Sequence, residues 1–262
     1  MNIDGVSIDG SVPRVALVTG GAQRLGRAIA EALGQAGFAV AVHCRQSVAA
    51  AEAVAAGIRA RGGRAAVLAA DLAREEDVRL LVPQATAALG AVGVLVNNAS
   101  TFERDEWDDA TRDSWDRHLE PNLRAPFVLM QALARALPEG ARGAVVNMLD
   151  ERVWSPTPHF VSYTVSKAAL WSLTQQMALA LAPRVRVNAV GPGPALPSPR
   201  QTEAQFARQC ASVPLGRGTS PAEAAAAVLM LLALPSVTGQ MLALDGGQHL
   251  QWSPAQGPGP EE

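Results

Sequence analysis

Tyr163, Lys167 and Asp150 are the residues whose types and spacing could do chemistry. Tyr163 is the one tyrosine of the 262-residue chain. Lys167 follows four residues later, which on a helix puts both side chains on one face. A phenol is a proton donor, and an adjacent ammonium stabilises the phenolate it leaves behind. Asp150 stands thirteen residues before the tyrosine, at the end of the apolar run 144–149. A carboxylate aimed at the same place would make an unusual trio. Tyr-x-x-x-Lys alone equally describes a half-buried tyrosine beside a solvated lysine on an amphipathic helix, so the surrounding elements have to decide.

Those elements alternate. The apolar run Arg14–Thr19 reads as a strand, GGAQRLG follows it, and 27–37 reads as a helix ending at a glycine. A glycine-rich turn from a buried strand into a helix is a phosphate cradle, because free backbone N–H groups and the helix dipole face the anion. It is not a P-loop, since Arg27 and Ala28 replace the Lys-Ser/Thr pair after Gly26, and GxGxxG is absent too. What stands there is Thr19-Gly20-x-x-x-Arg24-Leu25-Gly26. The second strand, Phe38–His43, runs into Cys44, Arg45, Gln46 and Ser47. No acid is present to take a ribose 2′-hydroxyl, whereas Arg45 suits a 2′-phosphate, so NADPH is favoured over NADH.

Helix 47–61, strand 64–70 ending at Asp71-Leu72, helix 74–89 and strand 93–97 follow, and the last leads into Asn98, Ala99, Ser100, Thr101 and Phe102. Segment 111–137 is expected to be helical but broken or kinked at Pro121, just before Asn122. Strand 144–149, helix 160–181 and strand 185–190 come next, then the proline-rich GPGPALPSP from Gly191. Residues 194–213 read as an irregular substrate loop or lid. Ser220-Pro221-Ala222-Glu223 opens a helix running to about 234, and 241–244 is the last strand. Such alternation implies a doubly wound parallel sheet with helices on both faces. Gly20, Arg45, Asp71, Asn97, Asp150 and Pro192 all follow strand ends, and those ends share the edge where the ligand crevice of this architecture lies.

Composition narrows the class. A net charge of −2 with interspersed signs argues against a nucleic-acid or polybasic membrane surface. Two cysteines are too few for a disulfide framework and fit a reducing cytoplasm, and the four histidines show no metal-ligand spacing. No apolar run approaches membrane-spanning length, and the acidic N-terminal stretch is not a signal peptide. Residues 1–12 and 253–262 are expected to be poorly ordered, flanking one Rossmann-type domain over 13–252.

Over residues 13–250 the sequence resembles the short-chain dehydrogenase/reductase family. The resemblance rests on Thr19-Gly20 with Gly26, Asp71-Leu72, Asn97-Asn98-Ala99, Asn122, Tyr163-x-x-x-Lys167, Asn188, Pro192-Gly193 and Asp245-Gly246-Gly247. It implies a seven-stranded parallel sheet, a nicotinamide cofactor and a homotetramer. By the same resemblance Tyr163 is the acid, Lys167 bonds the nicotinamide ribose and depresses the tyrosine pKa, and Asn122 holds a relay water. Two departures are informative, since the family usually carries Gly at position 24 and Ser at position 150. An ionised Asp cannot donate a hydrogen bond to a carbonyl oxygen and would repel a developing alkoxide, so it suits a C=N substrate better. Arg24, Asp150 and Asn97–Phe102 look like the pteridine reductase branch. There Phe102 would sandwich a pterin against the nicotinamide, Ser100 and Arg24 would bond the pterin and the cofactor phosphates, and His43-x-Arg45-x-Ser47 would hold NADPH. The expected activity is NADPH-dependent reduction of a pterin or dihydrofolate; a carbonyl reductase and an inactive dinucleotide sensor are the alternatives.

Overall fold

Residues 7–198 and 200–251 are described by a computed structural model of the chain. Expectations for residues 1–6 and 253–262 lie outside this range. Seven strands form one parallel sheet: β1 (Val15–Val18), β2 (Ala39–Cys44), β3 (Ala65–Ala69), β4 (Val94–Asn97), β5 (Gly143–Met148), β6 (Val185–Pro192) and β7 (Met241–Leu244). Their spatial order is β3-β2-β1-β4-β5-β6-β7, the doubly wound arrangement whose order reverses between β1 and β4. Every residue of β1, β2, β4 and β5 is buried, as strands covered on both faces require. Alternate side chains divide between two cores. Ala16, Val18, Val40, Val42 and Val146 pack under α1 (Arg24–Gln35), α2 (Val48–Ala60) and α8 (Pro221–Ala233). Val15, Leu17, Leu95, Val145 and Val187 pack under α3 (Glu75–Leu89), α5 (Ala125–Ala136) and α6 (Val161–Leu181).

Between β5 and α6 the second core holds a polar seam. Asn97 donates to Asn147 Oδ1 at 2.8 Å, Asn147 donates to Thr174 Oγ1 at 2.9 Å, and Thr174 donates to the Leu170 carbonyl at 2.7 Å. Tyr163, Lys167, Leu170 and Thr174 are all buried and lie on one stripe of α6.

Three expectations need correction. Of the two outcomes expected at Pro121, the break is the one not seen: α4 (Arg112–Leu119) passes through a π turn, Glu120–Arg124, into α5 without leaving the helix. Proline has no N–H to give, and the wider turn resumes bonding with Ala125 N–H on the Glu120 carbonyl. The lid 194–213 is not irregular throughout, because it contains α7 (Glu203–Ser212). Thr202 and Gln205 form a reciprocal capping box that starts it. Nor is the stretch before β1 loose where it is described: Ser11 N–H bonds Asp9 Oδ1, Val12 is 5% exposed, and Arg142 N–H bonds the Ser11 carbonyl. Among the described residues no helix is long and apolar enough to cross a membrane.

Candidate active site

The β1–α1 turn is built around two glycines. Gly20 adopts φ +61°, and a Cβ on Gly26 would sit 2.1 Å from the Gly20 carbonyl oxygen and 2.4 Å from Asn98 Nδ2. Only bare backbone fits, because the Gly20 carbonyl and the Asn98 amide fill that space, and the turn so closed lines the cavity described below. The turn is tied from three sides. Thr19 Oγ1 accepts from the N–H groups of Asn98 and Ala99 at 2.9 and 3.0 Å, and Asn98 Nδ2 donates to the Thr19 carbonyl at 2.9 Å. Gly20 N–H donates to His43 Nδ1 at 3.1 Å, so the His43 proton sits on Nε2, facing the Ala70 carbonyl at 3.1 Å. Burial pushes the His43 pKa down, against the pull of the Ala70 carbonyl, and the ring stays neutral.

Among the described residues Arg24 is one of two non-glycine residues with positive φ, at +52°. Glycine takes this conformation without strain, which accounts for the glycine expected there by family resemblance. The Arg24 guanidinium donates to the Pro197 and Leu196 carbonyls at 2.8 and 3.1 Å, so it grips segment 194–213 from the β1–α1 turn. A second latch runs the other way: lid residue Arg200 donates to Glu103 Oε2 at 3.0 Å and to the Phe102 carbonyl at 2.9 Å.

At the carboxyl edge of the sheet these pieces enclose a cavity of about 710 Å³. Gly20, Arg24, Leu25, Gly26, His43, Arg45, Asp71, Leu72, Asn98, Ala99, Ser100, Phe102, Asp150, Tyr163, Lys167, Pro192 and Gly193 line it. The sequence-predicted residues that do not are Ser47 and Asn122. Ser47 precedes α2 without a side-chain capping bond. Asn122 is buried in the π turn, where its amide accepts from Thr101 N–H at 2.8 Å and donates to the Thr101 carbonyl and Ser166 Oγ, both at 3.0 Å. Both amide hydrogens are therefore used on protein, and the side chain clamps the β4 loop.

Inside the cavity Tyr163 Oη donates to Asp150 Oδ2 at 2.8 Å, while Asp150 Oδ1 accepts Arg152 N–H at 3.0 Å. The expectation of a depressed tyrosine pKa is overturned. Burial, and then the facing Asp150 carboxylate, push the phenol well above its ordinary value. Lys167, whose Nζ donates to the Met148 carbonyl at 2.8 Å, does not reverse this. Burial lowers the Lys167 pKa to about 8, with Asp150 opposing. Phe102 stacks on buried Phe160 (centroids 4.7 Å, 7°) and meets Tyr163 edge-on at 4.6 Å, so one of its faces is already covered.

Sequence reasoning missed the support of this wall. Buried His118 accepts the Glu103 N–H on Nε2 at 3.0 Å, and its Nδ1 lies 2.7 Å from Ser162 Oγ. Ser162 donates to Asp105 Oδ2 at 2.5 Å, and Ser114 donates to the same carboxylate at 3.0 Å. Arg152, 6% exposed, lies within 5.0–6.0 Å of the Phe160, Phe102 and Tyr163 rings.

Residues 14–207 match the family model for short chain dehydrogenases. The chain belongs to the short-chain dehydrogenase family. As a member it is an oxidoreductase of that type, with the seven-stranded Rossmann-like sheet of its solved relatives. It is similar to FolM alternative dihydrofolate reductase 1 from Brucella canis, crystallised with NADP: 47% identity, 95% of this chain and 99% of that one, TM-score 0.91. It is similar also to a blue fluorescent protein from a metagenomic library in complex with NADPH, with 33% identity, coverage of 89% and 97%, and a TM-score of 0.82. Among curated proteins it is 36% identical to 4-formylbenzenesulfonate dehydrogenase TsaC1/TsaC2 of Comamonas testosteroni, over 90% of this chain and 98% of that protein.

Proposed function

We propose that the protein is an NADPH-dependent reductase acting on a C=N bond of a pterin-type substrate, a pteridine, dihydropteridine or dihydrofolate. The observation that carries this reading is the hydrogen bond between the Tyr163 phenol and Asp150, in place of a hydroxyl donor aimed at a carbonyl. The identity to a dihydrofolate reductase of the FolM type supports it.

The residues present fit the cofactor. The Gly20–Gly26 turn has no room for a Cβ and lines the cavity at the N-terminus of α1, where a pyrophosphate would lie. Exposed Arg45 stands at the end of β2, with no acid beside it, where a 2′-phosphate would lie. NADP and NADPH in the similar structures agree with this choice. Bound there, the cofactor would supply a hydride; the rest of the chemistry falls to the chain.

Lys167, anchored on the Met148 carbonyl, would present its remaining donors to the ribose. Asp150 is an acceptor, so it suits the ring N–H and amino groups of a pterin and repels an alkoxide. Tyr163 holds the proton to be delivered. A phenol with a raised pKa remains protonated until the substrate nitrogen becomes strongly basic, which happens only as hydride reaches the neighbouring carbon. Phe102, a cavity-lining ring with Arg200 5.7 Å from its centroid, would contact a flat substrate, while Arg24 and Ser100 would stand at the phosphate side. Asn122 acts in this reading as the clamp on Thr101. A homotetramer in the cytoplasm completes the proposal.

Incubation with NADPH and biopterin, dihydrobiopterin, dihydrofolate or a panel of ketones and aldehydes tests it, read as loss of NADPH absorbance. Turnover of at least one pterin or folate is expected; reduction of carbonyls alone overturns the reading. The carbonyl alternative draws on the similarity to an aldehyde-named dehydrogenase. Cofactor binding without any turnover would instead favour the sensor.

A further inference from the structure

Delivering a proton from Tyr163 creates an electrostatic problem specific to this site. The O–H bond breaks, its electron pair stays on the phenolate, and the proton forms an N–H bond on the substrate while the nicotinamide hydride forms the C–H bond. A phenolate is then left 2.8 Å from the Asp150 carboxylate. With serine at position 150, as the family usually has, one lysine would face one phenolate. Here two adjacent anions form, and buried Glu151 adds a third negative charge nearby.

Two cations face the phenol. Lys167 Nζ lies 5.9 Å from the ring centroid, 2% exposed and committed to the Met148 carbonyl. Arg152 Cζ lies 6.0 Å from the same centroid, 6% exposed. It sits 5.3 Å from Phe102 and 5.0 Å from Phe160. Since those two rings stack at 4.7 Å, nearly equal distances put the guanidinium at the side of the stack, facing the tyrosine. The His118 ring, its pKa lowered by burial, lies 6.1 Å from Tyr163, and on the outer side of the ring cluster Arg200 lies 5.7 Å from Phe102 and Arg104 5.6 Å from Phe160.

We infer that Arg152 is the counter-charge that makes Asp150 compatible with proton delivery: a positioning residue acting through Tyr163, whose guanidinium offsets the second anion formed when the phenol gives up its proton. It deepens the C=N reduction reading, since Asp150 and Arg152 then work as a pair in place of a serine. Backbone links them directly, because Asp150 accepts the Arg152 N–H at 3.0 Å. Arginine suits the place because it remains charged when buried, whereas Lys167 begins to lose its proton at about pH 8.

The single tyrosine allows a test that needs no substrate. Growth on a difluorotyrosine labels position 163 alone, and its more acidic phenol brings phenolate formation within reach of absorbance and fluorine NMR titration. Arg152→Gln is expected to lower the phenolate population at a fixed pH about tenfold to a hundredfold, the range for a unit charge some 6 Å away at an effective dielectric of 20 to 40. Arg152→Lys should recover all but about threefold. Should Arg152→Gln fail to fold, Asp150→Asn compared with Asp150→Asn/Arg152→Gln reads the same quantity without the facing charge. An unchanged phenolate population in every comparison overturns the inference, whatever the substrate proves to be. Where a substrate is turned over, Arg152→Gln should lower kcat with little change in KM and Arg152→Lys should restore it. A purely structural role would instead raise KM or lower both variants alike.

Discussion

Replacing Lys167 by methionine should stabilise the protein at neutral pH relative to alkaline pH, and abolish turnover at every pH. Lys167 is 2% exposed, and its pKa falls from 10.5 to about 8 because burial penalises the ammonium. The unfolded chain therefore binds more protons than the folded one between about pH 8 and 10.5, and stability rises with pH through that window. Below pH 8 the full penalty applies: 2.5 pKa units at 1.36 kcal/mol each is about 3 kcal/mol. By pH 10 the folded lysine is mostly neutral and roughly 1 kcal/mol of that penalty remains. Methionine has similar length and no charge. It forfeits the bond to the Met148 carbonyl, but that loss is the same at both pH values. The advantage of Lys167→Met over the wild type should thus shrink by roughly 2–3 kcal/mol between pH 7 and pH 10, or about 4–12 °C in relative Tm for a domain of this size. Thermal melts followed by circular dichroism at the two pH values, at one ionic strength, measure it. A difference in Tm that stays constant with pH would refute the reasoning, because it would mean the buried amine keeps an ordinary pKa. In the wild type, kcat/KM should turn downward above about pH 8 as the same amine deprotonates.

Gly26→Ala should abolish NADPH binding and lower Tm, since its Cβ would overlap the Gly20 carbonyl and Asn98 Nδ2; overpacking plus two disturbed hydrogen bonds costs about 3–5 kcal/mol. Gly140→Ala, with nothing within 4 Å of its Cβ, should cost only about 1 kcal/mol of backbone strain and leave NADPH fluorescence titrations unchanged. Arg45→Asp should reverse the preference for NADPH over NADH, losing about 1.5–3 kcal/mol, or roughly 10- to 150-fold, of NADPH affinity; equal affinities before and after would remove the 2′-phosphate argument. His118→Phe should raise KM for the reducible substrate while NADPH affinity holds, because Glu103 N–H loses its acceptor whereas Asn98 and Ala99 stay tied to Thr19. His118→Gln, which can still accept that N–H, should restore KM to within a few-fold, and failure of that rescue counts against the loop-positioning role.

The architecture was legible because strands and helices alternate and because the motifs fall at strand ends; most expected boundaries lie within a residue or two of those observed. What escaped had physical reasons. Helix α7 buries none of its residues, so no apolar stripe marks it, and only its Thr202/Gln205 capping box could have been read. The His118, Asp105 and Ser162 cluster joins residues 44 and 57 positions apart, beyond the reach of any local pattern. The tyrosine pKa was misjudged because burial and the facing Asp150 carboxylate raise it, and helical spacing fixes the face a tyrosine shares with a lysine but not how deep that face lies. Arg24 was found by its departure from glycine, yet its grip on the lid depends on residues about 172 positions away.

The amide seam through the middle of the sheet works like an index mark on an instrument. Thr174, its last member, lies on the same stripe of α6 as Tyr163, eleven residues and roughly 16 Å further along. If α6 crept by one residue it would advance about 1.5 Å and rotate about 100°, carrying Thr174 off Asn147 and leaving buried amides unpaired, at about 1–3 kcal/mol for each orphaned group. The aim of the phenol is therefore set from two places, the seam deep in the sheet and the bonds of Ser162 to loop residue Asp105. The lid makes no part of either anchor, so it can drift in length and sequence while the proton donor keeps its address.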